Sequence, residues 1–278
     1  MRNARIARAA LVFLTGGDHP ATMRSALDVC GCFPTGRHYA GIADRLARTV
    51  TKVEGLSATL GASERWTPAR LAVIDFETTG LSSDTDRIIE IGVATFEDGQ
   101  LSGLENWLVD PGVTVSEEVL AITKIDPAEL KKAPPIKDVI DAFRARIEGH
   151  LPVAYNASFD AGFLHSELRR LRQLPDDGAE TDDTPPAFVP SVMWIDPLVW
   201  ARELQKDERG MKLVNVCARL GIALDNAHRA ASDAEATGKV LMALSEQMPS
   251  TYGELIRLQA LYAGRQDVDH AALWSRRR

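Results

Sequence analysis

Three short stretches carry carboxylates and a histidine at spacings that could do chemistry. Asp75-Phe76-Glu77 ends an otherwise apolar run, Leu71-Ala72-Val73-Ile74. Side chains alternate along a strand, so Asp75 and Glu77 share a face. Two adjacent carboxylates at the end of a buried strand are costly when unpaired, and a divalent cation would offset their repulsion. Thr78-Thr79-Gly80 follows at once. That turn offers hydroxyls, backbone N–H groups and a glycine whose missing side chain would let a nucleotide come close. The second stretch is Asn156-Ala157-Ser158-Phe159-Asp160. Asp160 falls in the first turn of a helix, where the helix dipole favours an acid. It also lies beyond the end of a strand, where α/β folds place their sites. The third is His228-Arg229-Ala230-Ala231-Ser232-Asp233. Ala230, Ala231, Ala234 and Ala236 are small enough to let a helix press on a sheet and carry Asp233 inward. Taken singly, each stretch has a plainer reading: a solvated acidic turn, an acid at a helix start, a surface histidine.

The surrounding pattern must position these groups. Leu71 to Phe76 reads as a buried strand and Arg87 to Phe96 as a second one, rich in Ile and Val. Glu97-Asp98-Gly99-Gln100 is a hairpin turn of the Asp-Gly kind, and Leu101 to Val109 returns as a third strand. Ser116 to Thr123 forms a short helix capped by Ser116, and Ile136, Val139, Ile140, Phe143 and Ile147 have helical spacing. Leu151 to Tyr155 is a fourth strand, followed by a helix over Ser158 to Leu171. Residues 172–190 are rich in Asp and Pro and read as a flexible loop; Val192 to Ile195 reads as a fifth strand. Asp196-Pro197 then opens a helix with Asp as its cap, and Lys212 to Leu220 and Ala230 to Ser245 are further helices. The expected fold class is therefore α/β: a mixed five-stranded sheet, three antiparallel strands followed by α/β alternation, flanked by helices. The expected division is an N-terminal extension over 1–68, a catalytic domain over 69–248, and a C-terminal helix with a basic tail over 249–278.

Together the three stretches form an ordered set, Asp-x-Glu, then Asp, then His-x-x-x-x-Asp. This set resembles the three exonuclease motifs of the DEDD superfamily, in the branch that has histidine where the other has tyrosine. It is most similar to the proofreading (epsilon) subunit type of bacterial DNA polymerase III, over roughly residues 70–248. The resemblance implies a ribonuclease H-like fold and two divalent ions, Mg²⁺ or Mn²⁺. It implies Asp75, Glu77, Asp160 and Asp233 as metal ligands and His228 as general base. It also implies that Thr78, Thr79, Gly80 and Leu81 line the terminal nucleotide, with Asn156 and Phe159 near it. Hard oxygen ligands suit Mg²⁺, and a histidine can accept a proton near neutral pH. The expected reaction is 3′-5′ removal of nucleoside 5′-monophosphates from DNA, of proofreading or repair type. The alternatives are an RNA-trimming exoribonuclease or a polymerase-associated binding subunit. Tyr155 stands where many relatives have a histidine, and Ala121-Ile122-Thr123-Lys124-Ile125 matches a His-Gly-Ile-Thr segment only loosely.

The whole chain is consistent with such an enzyme. Its formal net charge is −7, with +5 on residues 1–70 and −12 on the remaining 208. Proteins that coat long duplexes are usually basic; an acidic body suits one that grips a strand end through metal ions. Three cysteines are too few for a disulfide framework, and the expected setting is reducing and cytoplasmic. Cys30-Gly31-Cys32 with His38 fits no zinc pattern. Arginines and a short apolar run, Ala9 to Leu14, open the chain without a cleavage signal. No stretch approaches the roughly 18 apolar residues of a membrane span, so no membrane partner is expected. The expected partners are a 3′ end of DNA, possible also for RNA, and a polymerase subunit.

Overall fold

Strand β1 (Leu71–Thr78) is buried along most of its length and pairs with a neighbour on each side. The computed structural model describes residues 54–174, 184–224 and 227–275. Residues 1–53, with the Cys30/Cys32/His38 group, and the terminal arginines 276–278 lie outside those residues. β2 (Ile88–Glu97) runs antiparallel to β1, and β3 (Gln100–Leu108) antiparallel to β2. Asp98 and Gly99 both have positive φ, 49° and 72°, as the tight turn between them requires. β4 (Leu151–Val153) joins β1 in parallel, giving the order β3-β2-β1-β4. The β1–β2 register slips between Glu77 and Thr78: Glu77 faces Glu90, but Thr78 faces Ile88. A bulge therefore sits where the carboxylates are presented.

The helices are α1 (Glu117–Thr123), α2 (Pro127–Leu130), α3 (Ile136–Ile147), α4 (Ala157–Leu171), α5 (Pro197–Leu204), α6 (Leu213–Leu220), α7 (Ala230–Leu244) and α8 (Tyr252–Ser275). α1 and α5 begin as their sequences dictate, with the side chains of Ser116 and Asp196 accepting from Val119 and Leu198 N–H groups. One face of the sheet, with Ala72, Ile74 and Phe76, joins α3 and α4 in a core that includes Phe143, Phe163 and Leu168. The other face carries Asp75 and Glu77 and is covered by α7. That helix lies very close. A Cβ at Gly92 of β2 would fall 2.1 Å from the Ala230 carbonyl carbon, and one at Gly238 of α7 would fall 2.2 Å from the Phe96 ring. Ala230, Ala234 and Ala236 are buried, as the run of small residues implies.

The sheet has four strands among the described residues, not the five expected. Val192 to Ile195 does not extend the ladder. Only Ile195 bridges β4, donating to Pro152 O and accepting from Ala154 N. Its neighbours are engaged elsewhere: Val192 N–H bonds Val189 O, Met193 N–H bonds Gly55 O, and Trp194 O accepts from the Gln259 side chain. Asp196 then starts α5 at once. Of the loop expected over 172–190, residues 175–183 lie outside the described residues, while Pro186–Phe188 form a 3₁₀ turn whose side chains are buried in the core. Residues on either side of 69–248 pack together. Trp66 is fully buried and donates to Pro249 O, Tyr252 N–H bonds Glu64 O, and the Tyr252 hydroxyl accepts from Ser57 N–H. No helix of the described residues is long and apolar enough to cross a membrane.

Candidate active site

The end of β1 collects carboxylates from three elements. Asp75 and Glu77, both partly buried, project from the strand toward α7. Asp160, only 3% exposed in the first turn of α4, accepts the backbone N–H of Phe76 on Oδ1 at 3.0 Å. It therefore holds the peptide that lies between Asp75 and Glu77. Asp233, one turn into α7, accepts the backbone N–H of His228 on Oδ2 at 3.1 Å. Its Oδ1 is buried and has no hydrogen-bond partner. Ligand atoms of Glu77, His228 and Asp233 lie within 4.8 Å of one another. His228 is exposed, in a left-handed conformation with φ 68°.

Burial and crowding push these acids toward their protonated forms. Burial raises Asp75 well above the usual carboxylate range, and the charges of Asp160, Asp233, Glu77 and Glu90 raise it further. Glu77 is raised to about 7 by burial, with Asp233 and Glu90 adding to the shift and Arg229 opposing it. Burial also raises Asp160, against the opposing hydrogen bond from Phe76, and raises Asp233, against the bond from His228. A divalent cation would reverse these costs, since it needs deprotonated hard oxygens and would satisfy the orphaned Asp233 Oδ1. The donor set fits Mg²⁺ or Mn²⁺.

The residues after β1 form a tied loop. Thr78 Oγ1 donates to Gly80 O, while Thr79 Oγ1 donates to Asp86 and accepts from Arg87 N–H. A Cβ at Gly80 would fall 2.5 Å from the Asp86 carboxylate, so a side chain there would displace the group that holds Thr79 and Ser82. Arg87 and Arg170 both pair with Glu167, which is 1% exposed, and Arg170 also donates to the carbonyls of Ser83 and Asp84. Leu81 rises from this loop 88% exposed. Both threonine hydroxyls are thus spent within the loop, and Leu81 is its free apolar projection. Across the site, Asn156 is exposed in a left-handed conformation, φ 69° and ψ 52°, and the partly buried Phe159 packs on Phe163.

The three motif stretches do converge. Sequence reasoning missed the residues that hold them. Glu90 is fully buried opposite Glu77 and accepts from Arg229, from Ala230 N–H and from Asn106. Asp196, read only as the cap of α5, also accepts the N–H groups of Asn156 on Oδ1 and Ala157 on Oδ2. A lone charge inside the apolar run Ile88-Ile89-Glu90-Ile91 was a legible signal, since such a charge must find a partner. The partner's identity was not legible.

Comparison with known proteins places this geometry. A family model described as RNase_T, Exonuclease, matches residues 72–241. The chain is 37% identical over 169 residues to a PolC-type DNA polymerase III from Clostridium perfringens, covering 61% of this chain and 11% of that protein. A second PolC-type polymerase, from Thermotoga petrophila, is 30% identical over 227 residues, covering 82% of this chain and 15% of that protein. The chain thus spans only 11–15% of the length of these curated relatives. Among solved structures, exonuclease X in complex with 5′ overhanging duplex DNA is 25% identical with a TM-score of 0.52, covering 68% of this chain and 99% of that one. The Asp75/Glu77, Asp160 and His228/Asp233 stretches all fall inside the matched region, and the chain belongs to the RNase_T exonuclease family, in the DEDD superfamily of 3′-5′ exonucleases.

Proposed function

We propose that this chain removes nucleotides one at a time from the 3′ end of DNA, releasing nucleoside 5′-monophosphates. The observation that carries the reading is the meeting of Asp75, Glu77, Asp160 and Asp233, all with raised pKa, beside the exposed His228. The four carboxylates would hold two divalent ions, Mg²⁺ or Mn²⁺. Bound there, such ions supply the positive charge that the attacking and leaving oxygens of an in-line displacement require.

The chain's own groups do the rest. His228 takes the proton of the attacking water on a ring nitrogen. The water oxygen bonds to the terminal phosphorus, the bond from phosphorus to the 3′ oxygen of the penultimate nucleotide breaks, and that oxygen takes a proton from solvent while His228 later returns its own to solvent. Leu81 packs against the terminal base, and the backbone of Thr78, Thr79 and Gly80 lines its sugar and phosphate. Asn156 and Phe159 form the opposite wall. DNA as substrate is supported by the polymerase relatives at 30–37% identity. The same likeness supports action alongside a DNA polymerase.

The test is cleavage of end-labelled single strands of DNA and RNA with Mg²⁺, Mn²⁺ or EDTA. Stepwise loss from the 3′ end is expected, faster on DNA and abolished by EDTA. Asp233→Asn should lower the rate at least about a thousandfold with the fold retained by circular dichroism. Faster trimming of RNA would reassign the substrate, and an active Asp233→Asn variant would overturn the ligand assignment.

A further inference from the structure

We propose that Gln259, on the C-terminal helix α8, is a positioning residue for the carboxylate Asp160, acting through Asp196. The proposal rests on the metal-site reading of Asp160 given above. Gln259 lies beyond residue 241, where the family match ends.

The connection is a continuous set of hydrogen bonds. Gln259 is 3% exposed, and both its amide oxygen and its amide nitrogen are hydrogen-bonded. Oε1 accepts from Asp196 N–H at 2.8 Å and from the Trp200 indole at 3.2 Å, while Nε2 donates to Trp194 O at 2.8 Å. It therefore grips the chain on both sides of Asp196 and sets where that side chain starts. The Asp196 carboxylate is also fully engaged. Oδ1 accepts Asn156 N–H at 3.0 Å and Leu198 N–H at 2.9 Å, and Oδ2 accepts Ala157 N–H at 3.0 Å. These bonds hold Asn156 in the left-handed conformation from which α4 departs, one that a residue with a Cβ adopts reluctantly. Asp160 sits three residues on from Ala157 and bonds the Phe76 N–H between Asp75 and Glu77. A shift of α4's first turn moves Asp160 relative to the β1 carboxylates, and Asp196 supplies the hydrogen-bond acceptor of both the Asn156 and the Ala157 N–H groups. An aliphatic side chain at 259 would leave Asp196 N–H, Trp194 O and the Trp200 indole without their partners.

The experiment compares wild type, Gln259→Leu, Gln259→Glu and Asp160→Asn as full-length chains, titrating Mn²⁺ by calorimetry without substrate and measuring kcat and KM at temperatures where each is folded. Gln259→Leu should weaken Mn²⁺ binding and lower kcat, each by about tenfold, the scale for supporting groups behind metal ligands, with KM little changed. Gln259→Glu keeps the acceptor toward Asp196 and Trp200 and should recover part of the loss. Amide exchange at Asn156 and Ala157 should quicken in Gln259→Leu. A Gln259→Leu protein that is merely less stable, binding Mn²⁺ and turning over like wild type, would overturn the proposal; should that variant not fold, the same titration on Gln259→Met, a side chain of similar length without the amide, decides, wild-type binding counting against it. A wild type that binds no more Mn²⁺ than Asp160→Asn would instead overturn the metal-site reading itself.

Discussion

The two helices that bring carboxylates to β1 are anchored in different ways. α7, which carries Asp233, is tied at its start by an ion pair: Arg229 Nη2 lies 2.7 Å from Glu90 Oε1, with the arginine 42% exposed and the glutamate fully buried. α4, which carries Asp160, is tied by Asp196, whose oxygens are all taken by backbone N–H groups inside the protein. The difference matches what each end carries. The α7 end also carries exposed His228, which in the proposed mechanism meets water and substrate, and its anchoring guanidinium is itself partly solvated. The α4 end carries the buried Asp160, and a buried carboxylate shared by two helix starts leaves little slack. One end of the site is built to accommodate, the other to stay fixed.

The sharpest way to break this comparison is to remove the fixed anchor. Asp196→Ala strips the acceptors of Asn156, Ala157 and Leu198 N–H groups together and uncaps two helices. The expected loss is about 3 kcal/mol of stability, from one cap and two unmade buried hydrogen bonds. Urea unfolding of the metal-free protein measures it. A loss under about 1 kcal/mol would mean that α4 is held by its apolar face alone.

Replacing the adjustable anchor should cost less. Arg229→Ala leaves Glu90 buried with only Asn106 and Ala230 N–H as partners. Loss of one member of a buried pair can cost several kcal/mol, but solvent already reaches this arginine, so about 2 kcal/mol is expected. Glu90→Gln removes the charge and should cost less than Arg229→Ala in the same unfolding experiment. The reverse order would show that the Glu90 carboxylate, through Ala230 N–H and Asn106, organises the start of α7 without help from the guanidinium.

Local chemistry made the reacting groups legible, and long-range chemistry hid their supports. Asp75 and Glu77 are two apart on one strand, and Asp160 and Asp233 each follow a visible helix start, so a rule spanning a few residues places each of them. The Glu90–Arg229 pair spans 139 residues and the Asp196–Gln259 bond 63. No periodicity or capping rule acts over such distances. The run Val192 to Ile195 shows the same limit from the other side. Its apolar pattern suits a strand, yet strand status depends on whether neighbouring backbone groups are free to pair, and here Gly55 and Gln259 take them. Trp66 and α8 are a further case: nothing in residues 54–68 alone announces that Trp66 is buried against Pro249.

The smallest expected effect separates the carboxylates of the reacting cluster from an ordinary acidic surface. Glu77 in the metal-free protein titrates near 7 rather than at its ordinary 4.5, and Asp75, Asp160 and Asp233 are shifted in the same direction. Between the ordinary and the raised pKa the folded protein binds more protons than the unfolded chain, so stability must fall as pH rises through that window. The contribution is fully present below about pH 4.5 and gone above about pH 7 for Glu77. Glu77→Gln carries no proton to lose and should flatten the profile in EDTA by about 1 kcal/mol, below the full linkage value because Glu77 is partly exposed. Mn²⁺ should flatten the wild-type profile as well, since it replaces the protons with a charge that the carboxylates can all face at once. Unfolding in urea at pH 5 and pH 8, with EDTA and with Mn²⁺, measures both effects. Metal-free stability that rises with pH across that interval would mean that these carboxylates are not crowded together, and that the order at the two anchors serves packing instead of a cation site.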